Sequence, residues 1–177
     1  FLSQVFALVP GVCSVHEPEH QFEAYADLKP HLWNLGSRPL SETVEERTRL
    51  KHWQIDDLAS RYRAATYVET NPLFATLWHD VVLNDPRFEN ISVIVLRREP
   101  ARVLKSLLDL GWYSDRDGDS WMLSAYSVNS LFEPPMPASE ATPADLVIGH
   151  LVNVELLARR IKRLCDARGF RVVETRA

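Results

Sequence analysis

The chain has 177 residues, of which 46% are hydrophobic and 25% charged, as expected for a single globular domain with a sizeable core. A formal net charge of −4 argues against a general nucleic-acid binder, yet leaves room for a local basic pocket that takes a small anion. Cys13 and Cys165 stand far apart without metal-ligand spacing, so a disulfide framework is not expected and a reducing, cytoplasmic setting is. No apolar run approaches a membrane span, and no basic-then-apolar stretch reads as a leader.

In chain order, Phe1–Leu8 reads as the end of a helix, with Phe1, Val5 and Leu8 on one face, stopped by Pro10-Gly11. Val12–Val15 is a short apolar strand, His16–Phe22 a polar loop at its end, and Gln21–Leu28 a short helix. Pro30–Pro39 carries loop signals. Ser41 then reads as the cap of a long helix to Tyr62, with Val44, Leu50, Trp53, Ile55 and Leu58 as its apolar positions. Ala65–Glu69 is the next strand, and Thr70-Asn71-Pro72 opens a helix that ends near Asn84-Asp85-Pro86. The β-branched run Ile91–Leu96 gives the strongest strand signal. Pro100 starts a helix that Gly111 ends, and Trp112–Pro143 is irregular, with the length of a lid or acceptor-binding segment. Pro143–Arg168 is a long helix, Gly169 closes it, and Phe170–Val173 is a last strand.

Strands separated by helices predict parallel crossovers in a three-layer α/β/α domain with a mainly parallel sheet. Ligands bind such sheets beyond the C-terminal ends of the strands. Three segments fall there: His16–His20, Glu69–Asn71 and Arg97–Pro100.

The last of these carries the most chemistry. Arg97 and Arg98 follow the ISVIVL strand directly, and Pro100 begins a helix whose first N–H groups and positive dipole end attract anions. Arg102 adds charge, and Ser106 offers a hydroxyl two turns into the helix. An arginine fork matches phosphate oxygens well, so Arg98 and Ser106 together suit a phosphate gripped from two sides. The plain alternative is that these arginines are solvated charges at a helix start.

Arg98-Glu99-Pro100, with Ser106 eight residues after the arginine, resembles the sulfotransferases that use 3′-phosphoadenosine 5′-phosphosulfate (PAPS). The resemblance implies a P-loop-type fold and sulfuryl transfer from PAPS to a hydroxyl or amine acceptor. It assigns Arg98 and Ser106 to the nucleotide 3′-phosphate, with Arg97 a further candidate. Leu8–Glu19, reading LVPGVCSVHEPE, resembles the segment where several branches of the family place a general base. Glu17 matches the Glu-Pro position, and Glu19 matches an alternative Glu-x-x-Phe pattern. A base is needed because an alcohol is a poor nucleophile at neutral pH; His16 and His20 are further candidates. No metal enters this scheme.

The family's phosphosulfate-binding loop is missing from the sequence. Phe1-Leu2 resembles the residues directly after it, which implies that the first strand and the loop lie upstream. The resemblance further implies that a chain truly beginning at Phe1 lacks a central strand, binds PAPS poorly and is unstable alone. Softer signals are Glu69, Thr70 and Asn71, where helix capping is the simpler expectation, and Trp112, Tyr113 and Trp121, which suit either an acceptor pocket or core anchors. Asp115, Asp117 and Asp119 alternate like calcium ligands but have no distal glutamate in register, so a solvated turn is expected. Two other functions remain open: another P-loop enzyme such as a small-molecule kinase, or a non-catalytic interaction domain that keeps the fold.

Overall fold

A computed structural model of the chain describes residues 2–18, 38–113 and 123–176. The expected helix at Gln21–Leu28, most of the Pro30–Pro39 loop and the SDRDGDS turn lie outside these residues.

The described residues form a mixed α/β structure. Helix α1 (Leu2–Phe6) is short and leads through Gly11, whose φ of 77° turns the chain, into β1 (Val12–His16). Helix α2 (Val44–Tyr62) follows a 3₁₀ turn at Leu40–Thr43 and ends at Arg63 in the left-handed region. Strand β2 (Thr66–Thr70) leads into a π-helical turn (Phe74–Trp78) that continues as α3 (His79–Leu83). Then come β3 (Ser92–Arg97), α4 (Pro100–Asp109), α5 (Pro143–Arg168) and β4 (Arg171–Arg176).

All the described strand pairing is parallel. β1 runs beside β2, with Val12 opposite Thr66 and His16 opposite Thr70. β3 runs beside β4, with Ser92 opposite Arg171 and Arg97 opposite Arg176. Parallel neighbours need long crossovers, which the helices provide. The one continuous sheet expected from the sequence is not formed by the described strands, which make two separate pairs. Each pair has its own core. Cys13 and Val15 of β1 pack with Leu58 of α2. Val93 of β3 packs with Ile161 and Cys165 of α5 and with Phe170. A third cluster joins Leu50 of α2 to Leu77, Trp78 and Val81. Both cysteines are buried free thiols, and burial raises the pKa of each.

Two local expectations are corrected. Ser41 does not cap α2. It lies inside the 3₁₀ turn, and Thr43 takes the cap position without a side-chain bond to the helix. The apolar stripe read for α2 is buried only in part: Leu50 and Leu58 face inward and Ile55 is half-buried, but Val44 and Trp53 are exposed, and Arg47, Lys51 and Gln54 are buried in addition. Arg47 is tolerated there because its guanidinium is fully bonded. It makes two 2.7 Å hydrogen bonds to the Asp80 carboxylate, with others to Thr43 Oγ1 and the Leu40 carbonyl. Burial pushes the Asp80 carboxyl up, but the bonds and charge of Arg47 outweigh it and hold the group below the usual carboxylate range.

Candidate anion-binding site

The strand-to-helix turn read from the sequence is present. β3 ends at Arg97, Arg98 and Glu99 make the turn, and Pro100 opens α4 at the position where its missing N–H costs nothing. The two arginines differ sharply. Arg97 is tied to protein carboxylates: Nε donates to Glu174 of β4 at 3.0 Å, and Nη1 donates to Glu155 of α5. Its hydrogen bonds to both acids raise its pKa and in turn hold those acids low. Its visible task is to fasten β3 to β4 and α5. Arg98 is exposed and forms no ion pair among the described residues, so its guanidinium is open to an external anion.

The start of α4 is not an empty anion site. The Glu99 carboxylate accepts from the N–H groups of Ala101 and Arg102, both at 3.1 Å, and lies 3.8 Å from Arg102 Nε. The expectation that the free N–H groups receive a phosphate is therefore revised, because the chain's own acid already fills that place. Any phosphate here depends on side chains. Ser106 supplies one: it is half-buried, and its hydroxyl has no hydrogen-bond partner among the described residues. It lies six residues into α4, ~9 Å along the axis from Pro100.

At the end of β1, Glu17 has a φ of 44° and its N–H donates to the Thr70 carbonyl at 3.2 Å. Pro18, the next residue, is fully buried. The Glu17 carboxylate is part-exposed, with Oε1 3.9 Å from His16 Nε2. His16 Nδ1 lies 2.9 Å from the Thr70 carbonyl and 3.0 Å from its hydroxyl, which fixes the ring at the strand end. Glu19 and His20 lie outside the described residues.

The side chains of the neighbouring Glu69–Asn71 segment are bonded within the chain, although the helical turn that follows has Leu73 at its cap position and no side-chain cap bond. Asn71 Oδ1 accepts from the Leu73 N–H, and Asn71 Nδ2 donates to Glu69. Glu69 also accepts from Lys51 Nζ at 2.7 and 2.6 Å and from the Tyr67 hydroxyl. Lys51 is 2% exposed and lies over the Trp78 ring. Nothing in the sequence marked Lys51, because an inward lysine on a helix looks like any solvated one until its partner arrives from another element. Trp112 and Tyr113 pack on the Leu107–Val147 cluster, the core-anchor reading; Trp121 lies outside the described residues.

A second polar cleft was not read from the sequence at all. It has a volume of about 750 Å³ and lies among α2, α3, α5 and the loop at Leu123–Leu131. Its lining includes Thr76, His79, the His52–Asp85 pair and Arg160.

No protein-family model, no curated protein and no solved structure matches this chain.

Proposed function

We propose that this chain belongs to a PAPS-dependent sulfotransferase of three-layer α/β/α, P-loop type. One observation carries the reading. Among the described residues, an arginine without an ion-pair partner stands directly after a parallel strand, and a serine whose hydroxyl has no partner follows eight residues later on the next helix. Both groups fit a dianionic phosphate, the arginine through its charged fork and the serine as a neutral donor.

PAPS supplies the sulfuryl group and leaves as 3′,5′-adenosine bisphosphate. Arg98 and Ser106 hold the 3′-phosphate and so fix the nucleotide against the sheet. Glu17 accepts the proton of the acceptor hydroxyl as its oxygen bonds to sulfur and the bond from sulfur to the phosphate oxygen breaks. Glu17 suits this because it is part-exposed at the C-terminal end of β1, where the parallel pairs present their ligand edge. Catalysis then rests on position and charge rather than on covalent participation by the protein. The reading calls for a further strand and loop that give N–H groups to the 5′-phosphosulfate.

The test is calorimetry on the protein at its full natural length, comparing 3′,5′-adenosine bisphosphate with 5′-AMP. The bisphosphate is expected to bind at least about tenfold more tightly, because two charge-assisted contacts go to the 3′-phosphate. Equal affinities would remove the 3′-phosphate assignment.

A further inference from the structure

The cleft among α2, α3 and α5 holds two groups that the proposed sulfotransfer does not use. His79 is 2% exposed, and among the described residues no group makes a well-formed hydrogen bond to either ring nitrogen, though the Ala75 carbonyl acts on the ring from one turn back. Thr76, three residues earlier, is 5% exposed, and its hydroxyl has no hydrogen-bond partner among the described residues. Both line the cleft. Native proteins seldom leave buried polar atoms unpaired, so two such residues side by side at one cavity wall need an explanation.

Their position has a local cause. The π-helical turn Phe74–Trp78 adds a residue to the helical path just where Thr76 and His79 sit. Such turns re-aim side chains and recur at functional sites. The nearby charges are already spent: Arg47 holds Asp80, and His52 pairs with Asp85. Arg160, at the exposed rim, is the charged lining residue with no ion-pair partner among the described residues.

We propose that this cleft is a binding site for a small, largely apolar molecule that carries a hydroxyl group. A threonine hydroxyl and a neutral imidazole each offer one donor and an acceptor, which is what an alcohol both needs and supplies. A bare carboxylate offers acceptors alone, and a cation donors alone. Leu123, Val128, Leu131 and Leu157 give the walls an apolar surface for the rest of the molecule. A volume of about 750 Å³ lies in the range of small-molecule pockets. None of Glu17, Arg98 and Ser106 lines it, so the site is separate from the proposed sulfotransfer centre.

The experiment is NMR titration with benzyl alcohol and, separately, toluene, reading the His79 ring signals and the methyl groups of Leu123 and Val128. Benzyl alcohol is expected to shift these signals saturably, and toluene to bind at least about tenfold more weakly, because it leaves the buried polar groups unpaired. Thr76→Val, which removes an unpartnered hydroxyl and keeps the shape, is expected to leave the melting temperature unchanged and to narrow the difference between the probes. No saturable shift with benzyl alcohol, or equal binding of the two probes to the wild-type protein, would overturn the proposal. The wild-type comparison stands even where the variant folds poorly.

Discussion

His79 is buried against the Leu77–Val81 layer, and that burial sets its chemistry. Burial lowers its pKa from 6.5 to about 4, with Arg160 and Arg47 pushing the same way and Asp80 and the Ala75 carbonyl opposing. The ring is therefore neutral in the folded protein at pH 7. As pH falls below 6.5 the unfolded chain takes up a proton that the folded ring refuses. Stability is thus full above pH 6.5 and declines as pH falls toward 4. The loss from this residue amounts to about 3 kcal/mol at the low end. His150 is also buried, and burial lowers its pKa, so it adds to the loss with the same sign. Urea denaturation at pH 7 and pH 4.5 should show this loss in the wild-type protein and a clearly smaller one in His79→Leu. An identical pH dependence in both proteins would contradict the assignment.

The loop Leu123–Leu131 and helix α5 show how an element is held in place. α5 begins with a capping box, in which the Thr142 hydroxyl accepts from the Asp145 N–H and the Asp145 carboxylate accepts from the Thr142 N–H. Its fully buried Asn153 accepts from the Leu131 N–H at 2.8 Å and donates to the Ser124 carbonyl at 3.2 Å, pinning the loop at two points. One turn earlier, Gly149 lets the loop approach closely. A Cβ there would stand 2.6 Å from Ala125 Cβ and 3.3 Å from its backbone nitrogen. Gly149→Ala gains about 1 kcal/mol of helix propensity. The clash costs about 1–3 kcal/mol and must move backbone, so a net loss of stability is expected in thermal unfolding. An unchanged or raised midpoint would show that the loop is not seated on Gly149.

Helix limits were legible in the sequence where local chemistry sets them. Pro100, Pro143 and Gly169 mark the same boundaries in sequence and structure, because a missing N–H or a positive φ acts within one turn. The inner face of α2 was not legible. Nothing in the sequence marks Arg47 and Lys51 as inward, because their partners Asp80 and Glu69 lie 33 and 18 residues away and meet them only in the fold. The cap role of Glu99 was hidden for a related reason: its own carboxylate competes with any ligand for the helix start.

At the scale of the whole molecule, one parallel strand pair ends beside Glu17 and the other ends beside Arg98. The parallel order was readable from the alternation of β-branched runs and amphipathic stretches. The division into two pairs was not, because pairing depends on which edges meet in space. The candidate residues Arg97, Arg98 and Ser106 were readable as a set, but the different surroundings of the two arginines were not. Arg97 and Arg98 are neighbours of one type, and only the positions of Glu155 and Glu174 show that the first is consumed by the fold. The central claim therefore narrows to the second arginine. Its most direct test is the affinity of Arg98→Ala for 3′,5′-adenosine bisphosphate, measured by calorimetry on the full-length protein with 5′-AMP as the control. A loss of about tenfold or more for the bisphosphate, with AMP binding unchanged, is the predicted result. Wild-type affinity for the bisphosphate in Arg98→Ala would contradict the account.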